Sequence, residues 1–248
     1  MPYSTDSSPP HPSIPRVPKP TKSNPLSRSQ QHLHTTFATI QALYTQSQLS
    51  QNIAAHITSL HKTARPPIRK ILSLGLGSFT TSSKAQRRQL KQLALFLAIR
   101  DELGRRGGVG VEVYAQDPVF TKADEAFLST HSVKILRTGS GTSLGGAGEV
   151  IDASTLVYSP FLTLEAYEAL LLRRNDVRVF IGDDFDGLAK KWPKFSAEGK
   201  VVERVVRGAV RGFMRRVVSG DGYWEEGDGA FGMGVYVREE ARRGKARM

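Results

Sequence analysis

The chain has 248 residues, 39% hydrophobic and 23% charged, enough for one substantial core with tails and too few for a second large domain. Its net charge of +12 is unevenly placed: thirteen Lys and Arg and no acidic residue lie between Asp6 and Asp101, and from Asp101 onward 22 acidic residues balance 22 basic ones. Cysteine is absent, which excludes disulfides, thiolate metal sites and cysteine nucleophiles, and the longest apolar stretch, residues 92–99, is far short of the ~20 residues that span a bilayer.

Residues 1–30 hold eight of the thirteen prolines among many Ser and Thr, and read as a disordered, basic tail. Proline at this density opposes the amphipathic helix of a mitochondrial presequence, and no apolar signal-peptide core follows, so the expected location is cytoplasm or nucleus. Residues 31–65 read as an N-terminal helical segment. Leu33, Phe37, Ile40 and Tyr44, then Leu49, Ile53, Ile57 and Leu60, recur every three or four positions with one slip between Thr45 and Gln48. One broken helix or two short ones fits. His32, His34, His56 and His61 read as helix-face residues, not metal ligands, because no carboxylate is near them in sequence.

Residues 66–190 alternate between strand and helix patterns. Strands are predicted over 68–74, 109–113, 133–136, 155–158 and 177–181, with helices over 84–103, 121–130 and 163–174 between them. This alternation predicts an α/β, Rossmann-like three-layer sandwich around a mostly parallel sheet of about five strands. The glycine-rich stretch 137–148 reads as a loop insertion. Residues 191–248 read as a C-terminal helix and a Gly-rich segment. In that helix the valines between Val201 and Val217 interleave with Arg204, Arg207, Arg211 and Arg215 at helical spacing. Such a basic face suits docking, or contact with a membrane surface or an acidic partner.

In an open parallel sheet, ligands bind beyond the carboxyl ends of the strands, where loop amides and helix N-termini converge. The candidate crevice residues are therefore Gly75, Gly77 and Ser78 after the first strand, Asp117 after the second, Ser159 after the fourth and Asp183 after the fifth. Threonine at position 80 breaks a full G-x-G-x-x-G pattern, and Asp117 lies farther along the chain than the usual ribose-binding carboxylate. Asp183, Asp184 and Asp186 suit a magnesium site or acid–base work, or, in at least one case, a helix cap. No Walker loop, H-E-x-x-H or Ser/His/Asp order occurs, and no catalytic or metal-binding residue is assigned.

Four segments share an order and spacing with a known family: Leu72-Ser-Leu-Gly-Leu-Gly-Ser-Phe79, Tyr114-Ala-Gln-Asp-Pro-Val-Phe120, Val157-Tyr-Ser-Pro160 and Val179-Phe-Ile-Gly182. Together with the apolar helix containing Gln89-Leu90 and Leu93-Ala-Leu-Phe96, they resemble the SRR-like domain, named for "sensitivity to red light reduced", over about residues 66–190. The resemblance implies a Rossmann-like fold and a regulatory role, linked to circadian and light signalling in plants and to haem synthesis in animals, without settled catalysis. Members often carry Pro-His-Cys after the fourth strand and Gly-Asn-Ser-Phe after the fifth, where this chain has Pro160-Phe161-Leu162 and Gly182-Asp183-Asp184-Phe185.

The expected function is thus a non-catalytic interaction or small-ligand-sensing module, with protein partners or an unidentified ligand and no assigned cofactor. One rival is a transferase using a nucleotide or S-adenosylmethionine in the Gly75-x-Gly77/Asp117 crevice. Another is a nucleic-acid adaptor acting through the basic N-terminal region and the Arg204–Arg216 helix.

Overall fold

The computed structural model describes residues 28–239, except 82, 108–109, 139–143, 173, 175, 220–221 and 226–231. The tail reading for residues 1–30 and the centre of the 137–148 insertion fall largely outside the described residues. A continuous sheet with strand order β3-β2-β1-β4-β5-β7-β6 runs through the centre. Its strands are β1 (Lys70–Leu74), β2 (Glu112–Gln116), β3 (Lys134–Ile135), β4 (Thr155–Ser159), β5 (Val179–Asp183), β6 (Phe213–Val218) and β7 (Met233–Arg238). The first five are parallel, and β7 runs antiparallel to both β5 and β6.

Alternation along the central strands divides the core into two layers. Ile71, Leu156, Tyr158, Val179 and Ile181 face one side, and Leu72, Leu74, Val157 and Phe180 face the other. The first side is covered by α3 (Ser83–Gly107) and α4 (Lys122–Thr130), the second by α5 (Gly146–Val150), α6 (Leu164–Leu171), α7 (Phe185–Lys191) and α8 (Ala197–Gly208). Residues 89–97 of α3 are all buried because two further helices, α1 (Arg28–Gln46) and α2 (Gln48–Thr63), pack on its outer face. The slip in the N-terminal pattern is the break between them. Ser47 caps α2 there, accepting the Ser50 N–H.

The sheet has two strands more than the alternating region accounts for, and they correct one reading. The stretch 201–217 is not one amphipathic helix: α8 stops at Gly208, a 3-10 turn covers Val210–Gly212, and β6 begins at Phe213. Gly208 packs so closely against Leu172, which caps the end of α6, that a side chain there would collide with it. Beyond Gly212, β-branched Val217 and Val218 favour the extended pairing with β7. Several of the arginines are paired: Arg204 with Glu168, Arg207 with Glu203, and Arg215 with Asp184 and Asp186. Among the described residues no helix is long and apolar enough to cross a membrane.

Candidate functional site

The chain leaves β1 toward β2 and β3 on one side, then returns at β4 on the other, so the strand order reverses between β1 and β4. Beyond the carboxyl ends of these strands lies a cavity of about 450 Å³. Its floor is the turn 74–77 after β1. Gly75 and Gly77 have φ of 78° and 74°, left-handed values that glycine adopts without strain. A Cβ at position 75 would come within 2.9 Å of Leu162 Cδ2, and one at 77 would collide with the Gln89 amide.

The turn is held from β2. Gly75 N–H donates to the Gln116 carbonyl at 3.3 Å, and Gly77 N–H donates to Asp117 Oδ2 at 2.7 Å. The other Asp117 oxygen accepts the Val119 N–H at 3.0 Å, closing the Asp-Pro turn. Behind the floor, Ser78 Oγ and Phe79 N–H donate to Asp124 at 2.7 and 2.8 Å. Asp124 is fully buried and also accepts from Thr121 N–H and Oγ1, each at 2.8 Å, so a capping box of α4 doubles as the anchor of the glycine turn.

One wall is α3, which presents Arg88, Gln89 and Gln92. Opposite stand Phe161, Leu162 and Thr163 after β4, with Glu165, Ala166 and Ala169 on α6. Gln116, Pro118, Thr138 and Leu144 complete the lining. Gln116 ties the β2 end to the start of α5, donating to the Leu144 carbonyl at 2.9 Å and accepting the Ala147 N–H at 2.8 Å.

Of the residues singled out in the sequence, Gly75, Gly77 and Asp117 line this cavity. Ser78, Ser159 and Asp183 lie behind its lining. The fifth strand runs two positions later than the pattern suggested, so Asp183 is its last residue and is buried. Its oxygens accept the Phe161 N–H at 3.0 Å and face the Tyr167 hydroxyl at 2.8 Å. Burial pushes its carboxyl up to about 6. Tyr167 donates to the Ser159 carbonyl at 2.8 Å, and the same desolvation raises its phenol. Phe161, at φ 67°, is thereby pinned in a left-handed conformation uncommon for an aromatic residue. Among the described residues the buried Ser159 hydroxyl has no hydrogen-bond partner.

The three aspartates do not form a metal site. Asp183 points inward, Asp184 caps α7 by accepting the Asp186 N–H, and Asp186 pairs with Arg215. Among the described residues no group of three or more His, Cys, Asp or Glu stands close enough to hold a metal ion. Sequence reasoning missed Arg88, Gln92 and Asp124, and named Gln89 and Phe161 without placing them in the crevice. Gln89 and Gln92 were detectable as polar interruptions of an apolar helix, with Arg88 four positions before Gln92 on the same face.

The sequence matches the SRR1 domain over residues 36–211. This chain belongs to the SRR1 domain family. The match begins within α1 and takes in α2 as well as the alternating region. No curated protein matches the sequence. Among solved structures, a putative S-adenosyl-L-methionine-dependent methyltransferase from Methanococcus maripaludis is similar at 9% identity and TM-score 0.41, over 90% of this chain and 98% of that one. Magnesium protoporphyrin IX methyltransferase from Synechocystis PCC 6803 is similar at 11% identity and TM-score 0.40, over 88% and 90%. At this distance the likeness bears on neither ligand nor activity. In this SRR1 domain, Phe161 and Leu162 make the wall after β4 largely hydrocarbon.

Proposed function

We propose that this SRR1 domain protein is a regulatory module of the cytoplasm or nucleus that binds a small organic molecule in the cavity between β1 and β4, and signals its occupancy to a protein partner without turnover. The observation that carries this reading is the cavity itself. At about 450 Å³ it lies within the range of small-molecule sites and sits at the reversal of strand order, where open α/β sheets bind ligands. Mixed chemistry supports it as well, since four leucines, two alanines and Phe161 supply apolar surface and three glutamines, one arginine and two carboxylates supply polar groups.

Binding is favoured over catalysis by the state of the acidic groups. Both Asp117 oxygens already accept backbone N–H groups, and Asp183, whose proton affinity would suit acid–base work, lies behind Phe161. The test is native mass spectrometry of the purified chain, joined to a thermal-shift panel of nucleosides, nucleotides, S-adenosylmethionine and aromatic acids. A retained mass or a raised Tm that disappears in Ala166→Trp, a variant that fills the cavity, is expected. No retained mass and an identical panel response in both proteins would overturn the reading, and chemical conversion of a panel compound would replace sensing with catalysis.

A further inference from the structure

The charged groups of the cavity are unequally satisfied, and the inequality narrows what the cavity accepts. Asp117 is neutralised in part by the Gly77 and Val119 amides. Glu165 lies in the first turn of α6, where the helix amides offset negative charge. Arg88 has no such compensation. Its Nε is shielded from solvent without an acceptor, and among the described residues the guanidinium makes neither a hydrogen bond nor an ion pair. Its neighbour is the Phe161 ring, whose centroid lies 5.9 Å from the guanidinium carbon. That contact supplies a weak cation–π attraction and leaves the hydrogen-bonding edge of the fork unused.

One helical turn along the same face, Gln92 is only 2% exposed, lines the cavity, and has no side-chain hydrogen bond among the described residues. A guanidinium Nε shut off from water without an acceptor is a costly arrangement unless something that enters the cavity engages the fork, and the Gln92 amide beside it offers a second polar contact. Around them the lining is apolar, with Leu144, Leu162 and Ala166 among its members.

Resting on the reading that the cavity binds a small molecule, we propose that this molecule is an organic anion whose carboxylate or phosphate group pairs with Arg88, with a polar edge on Gln92 and an apolar body against the leucine wall. The guanidinium fork matches the two oxygens of such a group, and charge-assisted hydrogen bonds of this kind are stronger than neutral ones. Carboxylate and phosphate are one chemistry to Arg88, and matched probes separate them.

The experiment is ligand-observed NMR with three pairs that differ chiefly in the anionic group: benzoate and benzamide, indole-3-acetate and indole-3-acetamide, AMP and adenosine. Each is titrated against the wild-type chain, Arg88→Met, Arg88→Lys and Gln92→Leu, with folding of every variant checked by urea denaturation. The anionic member of at least one pair is expected to bind about tenfold tighter than its neutral partner. Arg88→Met should abolish that preference, Arg88→Lys should keep part of it, and Gln92→Leu should weaken both members alike. A preference among the carboxylate pairs or in the AMP pair identifies which anion is taken. Equal binding of charged and neutral members, or a preference that survives Arg88→Met, overturns the anion proposal. If neutral members bind and Ala166→Trp removes them, the cavity reading stands without it. Failure of all six compounds to bind, in a chain that also retains no mass, sinks both.

Discussion

Asp117 and Gly77, forty positions apart in the chain, are joined by a 2.7 Å hydrogen bond from the glycine N–H to the carboxylate. This bond crosses from the β2 end to the β1 end and sets the floor of the cavity. Asp117→Ala deprives two backbone N–H groups of their acceptor and is expected to cost about 1–3 kcal/mol in urea denaturation. It should also weaken binding of whatever raises the Tm of the wild-type chain. Asp117→Asn keeps one acceptor oxygen, so its loss should fall between wild type and alanine. An alanine variant with unchanged urea midpoint and ligand response would show that the turn holds without this bond.

Two glycines should respond to alanine in opposite directions. Gly77 has φ of 74° and no room for a Cβ beside Gln89, so Gly77→Ala is expected to destabilise by about 1–3 kcal/mol. Gly104 lies within α3, and nothing stands within 4 Å of where its Cβ would be. There alanine should stabilise by up to ~1 kcal/mol through helix propensity. Thermal unfolding of both variants checks the pair, and shifts of the same sign would contradict the assigned backbone.

The end of α4 offers a gain of another kind. Val133 N–H bonds back to the Leu128 carbonyl at 3.2 Å and Ser132 N–H to that of Ser129 at 3.0 Å, with Ser132 at φ 60°. This is the arrangement in which glycine usually closes a helix. Ser132→Gly is therefore expected to raise stability by about 0.5–1 kcal/mol, read from the urea midpoint at unchanged slope. A loss would mean that the serine side chain contributes more than its backbone strain costs.

The parts of the fold legible in the sequence were those whose burial is local. Valine and isoleucine patterns marked the parallel strands, though β2 runs three residues later than the valine alternation over 109–113 suggested, and the three-or-four spacing of Leu33 to Leu60 marked α1 and α2. What escaped was decided by contacts distant in the chain. β6 carries an amphipathic pattern that fits a helix, and becomes a strand because β7 offers it a partner and α8 ends against Leu172. The site divides in the same way. Gly75, Gly77 and Asp117 announce themselves as turn formers after strands, whereas Arg88 and Gln92 sit in a helix whose apolar run obscures their shared face. Asp183 was found for its position, but a two-residue shift of β5 turned it from loop ligand to buried support.

That buried carboxyl should make stability depend on pH. Asp183 keeps its proton up to about pH 6 in the folded chain because burial disfavours the charge, whereas an unfolded aspartate releases it near pH 4. When protonated, it donates a hydrogen bond to the Tyr167 oxygen, whose own O–H donates to the Ser159 carbonyl, so every group in that chain has a partner. Between those two pH values the folded state binds the extra proton. Its contribution to stability is therefore complete below about pH 4 and declines as pH rises through 6, where it levels off. Asp183→Asn removes the titration while keeping an acceptor for the Phe161 N–H and a donor toward Tyr167. Relative to wild type, the asparagine variant should gain about 2–3 kcal/mol between pH 4 and pH 7, measured by urea denaturation across that range. Lys191 attracts the charged form and Asp184 repels it, so neutralising Lys191 should move the transition to higher pH and neutralising Asp184 to lower pH. A difference between wild type and Asp183→Asn that stays flat with pH would mean that the carboxyl is ionised throughout, and that Phe161 is held by a charged acceptor.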